Sequence, residues 1–355
     1  MVTLKSKEIK IINHYFNFLV IFSSFSYLPS LVRLGEVGLS SILVASSLIF
    51  WILYTLYNHE KFSYNLLFYF SVYMAIITLS HELSYKSFLN SMTWLTIPFL
   101  ISFFKNFKIQ FVPNLTFNLA LTISLCILFY NYYNGLRDAS TSVFIATIFP
   151  YFLMISYSNK FKFIVIILIF FLIIEAGTRI GLISILFSFV YYYIYLNKSK
   201  YGKLAFLIIP IVIIIGMQST NLNNSTFEGD NAIAVGDFAI NSSGRVNAWE
   251  SMIDSIADSP IFGHGTSMPS TIDDDGWGHP HNDYLRLLHQ GGVVGLVLFL
   301  IPLIKFYIYN KYSRINILSF LIIMTTDNPI VYPFSIFLFF ILITNKSYEK
   351  TKYNY

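Results

Sequence analysis

Long apolar runs separated by short polar breaks dominate this chain. Runs near 12–31, 37–57, 63–80, 88–104, 114–131, 140–157, 161–177, 180–196, 204–218 and 292–309 are long enough to cross a bilayer as helices, and two shorter runs, 315–326 and 329–344, close the chain. Lysine placement tests that division. Lysines cluster at 5–10, 61, 105–108, 160–162, 198–203, 305–311 and 346–352, after every second run, and only Lys86 breaks the alternation. By the positive-inside rule the lysine side is cytoplasmic. The pattern therefore predicts an all-α polytopic membrane protein with about twelve spans, both termini inside and 219–289 outside.

Two segments need closer reading. Residues 161–196 would measure about 54 Å as one helix, too long for a single crossing. The polar break Glu175-Ala176-Gly177-Thr178-Arg179 is expected to be an outer turn or bend. Residues 315–344 are expected to form two short helices meeting at Asp327, because one kinked crossing would put Lys346, Lys350 and Lys352 outside.

Against this apolar background, 219–289 is the long polar segment, so the chain divides into spans over 1–218, an outer loop over 219–289 and closing spans over 290–355. Asn, Ser and Thr fill 219–241, a polar lead-in. Ser242-Ser243-Gly244 is a cap-like cluster that starts a helix. Val246, Trp249, Ile253 and Ile256 then recur at helical spacing, and Asp258-Ser259-Pro260 with Gly263–Gly265 ends it. A second helix starts at Asn282, an N-cap residue. Tyr284, Leu285 and Leu288 give its apolar side, and Gly291-Gly292 is expected to stop it.

Composition agrees with the run pattern. The 355 residues are 55% hydrophobic and 12% charged, which fits an integral membrane protein. The net charge of +5 is not a nucleic-acid signal, because the lysines are dispersed. One cysteine, Cys126, excludes an internal disulfide and a zinc-type cysteine cluster. Lys5, Lys7 and Lys10 precede an apolar run without a small-residue cleavage site, so a retained first span is expected.

The arginines behave oppositely to the lysines. Arg33, Arg137, Arg179, Arg245 and Arg286 fall on the outer side and Arg314 on the inner. Bidentate binding of phosphate would explain positive charge there; pairing with the outer Asp and Glu residues is the plainer alternative. Arg245 falls at a helix N-terminus, where free N–H groups already favour anions. Arg179 lies near the outer membrane face, either as a functional charge or as the partner of Glu175 four residues earlier on one helix. His281 lies just before the second helix, whose positive end disfavours imidazolium, so a neutral ring able to accept a proton is expected.

These motifs carry a resemblance. Gly244-Arg245 with Trp249, Ser259-Pro260 with Gly263 and Gly265, His279-x-His281-Asn282 with Leu285, and Gly291-Gly292 with Gly295 resemble the O-antigen ligase and polymerase family, bacterial membrane glycosyltransferases of GT-C-like architecture. Thr178-Arg179 is similar to the family's Ser/Thr-Arg pair before the large loop. The resemblance implies an undecaprenyl-diphosphate-linked glycan donor and an acceptor glycan, either a lipid-linked repeat unit or lipid A-core. It also implies an inner-membrane setting with a periplasmic site, and a chain-length regulator as a further partner. It implies that Arg179 and Arg245 hold the diphosphate and that His281 activates the acceptor hydroxyl, without cofactor or metal.

Other residues support or rival these. His279 is separated from His281 by Pro280 and reads as a scaffold or supporting group. Trp277, between glycines, is a candidate for stacking on sugar, while Trp249 is expected to pack its helix onto the bundle. Asp327 either orients an arginine or His281, or caps a helix. Asn282 and Arg137 are further supporting candidates. Asp273-Asp274-Asp275 raises a metal question, answered more simply by a solvated acidic turn. His264 and His289 have no supporting context. A lipid-linked glycan flippase is the rival from another class; it would spread charges mid-bilayer over several helices, whereas here they collect at one outer face.

Overall fold

The computed structural model describes residues 66–81, 91–98, 114–135, 139–154, 159–176, 179–196, 232–235, 238–241, 245–265, 280–309, 313–325 and 329–331. It also describes short pieces and single positions at 14, 17, 21, 33–34, 37–38, 44, 46–49, 52, 327, 336, 339–340 and 342–343. The described part is helical apart from two small antiparallel hairpins, β1 (Arg33–Leu34) with β2 (Val37–Gly38) and β3 (Ala232–Val235) with β4 (Phe238–Asn241).

The helices are α1 (Leu66–His81), α2 (Asn114–Tyr133), α3 (Ala139–Met154), α4 (Asn159–Glu175), α5 (Arg179–Tyr191), α6 (Arg245–Asp258), α7 (Asp283–Tyr309) and α8 (Ser313–Ile323). All but α6 and the part of α7 before Gly292 coincide with expected apolar runs, and those two match the helices expected in the outer loop. By length and composition, Asp283–Ile308 can cross a membrane, and Leu67–His81, Thr141–Met154, Phe161–Ile174, Ile180–Ile194 and Ser313–Ile323 are shorter apolar helices. The outward side of α4 is apolar, with Phe161, Phe163, Ile164, Ile167, Leu168 and Phe171 exposed. In water such a face would be a liability; in lipid it costs nothing.

Two cores form. One gathers α2, α3, α4 and α5 around Phe144, Phe149, Phe152, Ile169 and Ile185. The other gathers α1 and α7 around Phe70, Met74, Trp94, Leu287 and Phe299. Helix α8 is the wall between them: Ile315 and Ile323 enter the first core, Ile317 and Phe320 the second. Ser184 of α5 and Ser319 of α8 join hydroxyl to hydroxyl at 2.6 Å, so the helix opened by Arg179 is fastened to that wall.

Glu175 ends α4 and Arg179 begins α5, so the break the sequence places after Glu175 is there, and the two residues are not positions i and i+4 of one helix. At the other end of the chain, α8 stops at Ile323, Asp327 sits in a bend and a short 3-10 turn follows at Pro329–Val331; much of the second short helix expected over 329–344 lies outside the described residues.

Candidate functional site

The site grows from the N-terminus of α7. Asn282 caps it, its Oδ1 accepting the backbone N–H groups of Tyr284 at 3.0 Å and Leu285 at 3.1 Å. Just before the cap, His281 has a φ of +49°, a left-handed conformation that a non-glycine residue adopts only when its surroundings impose it. Both flanks impose it here. The cap fixes the residue after it. The carbonyl of Pro280 before it accepts the indole Nε1–H of Trp249 at 2.7 Å. Trp249 thus ties α6 to the His281 turn, a more specific role than the packing expected of it.

The twisted backbone brings His281 to Asp327, with Nδ1 and Oδ1 3.8 Å apart, an ion-pair distance longer than a hydrogen bond. Asp327 is buried and His281 half-buried. The Asp327 segment is held against the start of α7 by Asp283. The Asp283 backbone N–H donates to the Met324 carbonyl at 2.9 Å, and its Oδ2 accepts the Ile330 N–H at 2.8 Å. The Tyr284 hydroxyl donates to the Leu321 carbonyl at 2.9 Å.

The first two turns of α7 are not apolar on their buried side. Tyr284, Leu285 and Leu288 are only partly covered, whereas Asp283, Arg286, His289 and Gln290 are buried together with Leu287. The apolar stripe expected from the sequence is therefore not the face turned inward. On α6, likewise, Met252 is the buried residue and Ile253 is exposed.

Gly291-Gly292 stops the first helix, as expected: Gly292, at φ 60° and ψ −167°, is non-helical, and α7 is two helices that meet at this kink, the second running on to Tyr309. The N–H groups freed by the bend are taken by the turn after α6: Val293 donates to Pro260 O at 2.9 Å and Val294 to Ile261 O at 3.2 Å. In return His264 and Gly265 donate to the carbonyls of His289 and Gln290 at 2.7 and 3.0 Å. The Ser-Pro-x-x-Gly-x-Gly segment is thus a clasp over the bend. Gly263 makes the close approach possible, because a Cβ there would lie 2.6 Å from the Gln290 carbonyl carbon. The Tyr73 hydroxyl of α1 lies 2.9 Å from both the Phe262 and Gly291 carbonyls, closing the clasp from the other side.

His264 and His289, without context in the sequence, meet here. Their rings stack with centroids 5.1 Å apart, and each has Nε2 on Ser255 of α6, at 2.8 Å from its carbonyl and 3.0 Å from its hydroxyl respectively. Ser255 and Tyr73 are organising residues with no local signal in the sequence, whereas Asp283, in the first turn after an N-cap, carries one.

The two sequence-chosen arginines each begin a helix, Arg179 at α5 and Arg245 at α6. Such positions offer free N–H groups and the positive end of the dipole. The structure brings together His281, Asn282 and Asp327 and ties Arg245's helix to them through Trp249. Arg137, Trp277, His279 and Asp273–Asp275 lie outside the described residues. Among the described residues no cluster of three or more His, Cys, Asp or Glu could hold a metal.

The described helices carry apolar outward faces, and Asp283–Ile308 is long and apolar enough to cross a membrane. Residues 163–300, which contain Arg179, α6, the clasp and His281, match the O-antigen ligase family, and that match supports assigning the chain to the O-antigen ligase and polymerase family. The family comprises membrane enzymes of the O-antigen ligase and polymerase type. No curated protein and no solved structure matches the chain.

Proposed function

We propose that this chain is a membrane glycosyltransferase that takes a glycan from an undecaprenyl-diphosphate carrier at the periplasmic face, working as a polymerase of surface-polysaccharide repeat units. The observation that carries the reading is the His281–Asp327 approach in a turn clamped by Trp249 and Asn282. A strained, clamped histidine beside a carboxylate is the arrangement of an oriented general base.

In this reading Asp327 faces Nδ1, and Nε2 takes the proton of an acceptor sugar hydroxyl. That oxygen attacks the anomeric carbon and the bond to the carrier diphosphate breaks with inversion. Undecaprenyl diphosphate leaves with the bonding electrons. Asp327 stabilises the imidazolium formed, and Arg179 and Arg245, at two helix N-termini, stabilise the charge growing on the diphosphate. No nucleotide, cofactor or metal takes part, so a chelator leaves turnover intact. In this reading Trp277 stacks on sugar, His279 and Arg137 are supporting groups, and Asp273–Asp275 serves as a solvated acidic turn. The loop 219–289 is periplasmic and both termini are cytoplasmic.

The compact loop and modest length favour joining repeat units over transfer to lipid A-core, which is the ligase reading. Deleting the gene in its host separates them. Single repeats on the lipid anchor support polymerase, long chains retained on the carrier mean ligase, and an unchanged surface glycan sinks both.

A further inference from the structure

The clasp that covers the α7 bend carries two large apolar side chains on its outside. Ile261 and Phe262 are 57% and 58% exposed, although their carbonyls accept hydrogen bonds from α7 and α1. No charged side chain lies in Ser259–Gly263.

Their surroundings say what covers them. The backbone of Ile261 pairs with Val294. From there an exposed apolar stripe runs down α7 through Val293, Val297, Ile304 and Ile308, on the helix whose length and composition suit a membrane crossing. On the other side, Phe262's carbonyl meets Tyr73 of α1, whose exposed residues are Tyr69, Ile76 and Leu79, followed by Ser80 and His81 at its C-terminal end. The exposed pair therefore continues two separate apolar helix faces and interrupts neither.

We propose that the Pro260–Phe262 turn is a membrane wedge, inserted into the acyl region of the leaflet at the N-terminal end of α7. The occupant of this surface is bilayer lipid. The inference rests on the membrane-enzyme reading above and deepens it. The clasp is bonded to α7 on one side and continues into α6 on the other, so a wedge in lipid fixes the depth of the polar segment. Trp249 passes that depth to the His281 turn. A base that must meet a diphosphate at the membrane surface is thereby held level with it.

The single cysteine makes the test direct. In a Cys126→Ser background, Phe262→Cys, Val297→Cys and Asp254→Cys are spin-labelled and the full chain is placed in vesicles of phosphatidylethanolamine and phosphatidylglycerol. Collision with oxygen, which concentrates in lipid, is compared with collision with a water-soluble nickel chelate. Oxygen should win at 262 and 297, and nickel at the exposed 254. Oxygen winning at 297 with nickel winning at 262 overturns the wedge and leaves the membrane reading standing. Nickel winning at 297 overturns both. A label at 262 shielded from both reagents and broadened by a second label means that another copy of the chain covers the turn, which also overturns the wedge.

Discussion

The indole of Trp249 and the carbonyl of Pro280 meet at 2.7 Å across 31 residues of chain, and this bond joins the helix begun by Arg245 to the turn that carries His281. Trp249→Phe keeps the ring packing and removes the donor. A net hydrogen bond is worth about 1 kcal/mol, and the turn it holds is strained. Turnover should fall about fivefold while membrane level and KM stay near those of the parent. Initial rates at matched protein check it, and an unchanged kcat would show that the turn holds without α6.

Gly292 is the residue on which the clasp depends. Its φ of 60° with ψ of −167° belongs to a region that is essentially glycine-only. A Cβ there would collide with the Ile261 carbonyl, which is backbone and cannot step aside. Gly292→Ala should lower stability by roughly 2 kcal/mol or more and abolish transfer. Gly291→Ala meets the Met74 Sδ at 2.8 Å, a flexible side chain, and should be far milder. Thermal melting of the two variants in detergent ranks them; equal melting would mean the bend relaxes.

Arg245 begins α6 as Arg179 begins α5. Lysine retains charge at either position but loses the two-pronged geometry that matches a diphosphate. Arg245→Lys should cost at least about tenfold in kcat/KM, about 1.4 kcal/mol. Full activity would reduce the residue to a diffuse positive charge. The readout is transfer from a lipid-linked donor over a range of donor concentrations.

What the sequence made legible follows the range of the forces involved. The start of α6 at Arg245, the Asn282 cap and the break after Glu175 rest on capping groups and glycines within a few residues, and each appears where expected. The stop at Gly291-Gly292 also appears where expected, with Gly292 non-helical. What has no local signal is that Pro260 and Ile261, some 30 residues earlier, take the N–H groups freed beyond it. The buried face of α7 was hidden for a related reason. Periodicity tells which residues share a side, but Asp283 is buried because Ile330 and Met324 supply its partners from another segment. The His264–His289 stack, drawn together by Ser255, likewise has no local signature.

His281 and His279 flank Pro280, and only one of them can be the base of the proposed transfer. His281 has the imposed left-handed backbone, the cap after it and Asp327 at 3.8 Å. His281→Ala should abolish transfer while the protein still inserts and binds donor, and His279→Ala should reduce it only partly. Asp327→Asn keeps size and removes the charge that steadies the imidazolium, so it should lower kcat with little change in KM. Product formation is measured for the three variants at matched membrane levels, with donor binding followed separately. Substantial activity in His281→Ala beside a dead His279→Ala would move the base across the proline. Activity in both would remove histidine base catalysis from the mechanism. A raised KM with normal kcat in Asp327→Asn would make Asp327 a donor-binding residue instead.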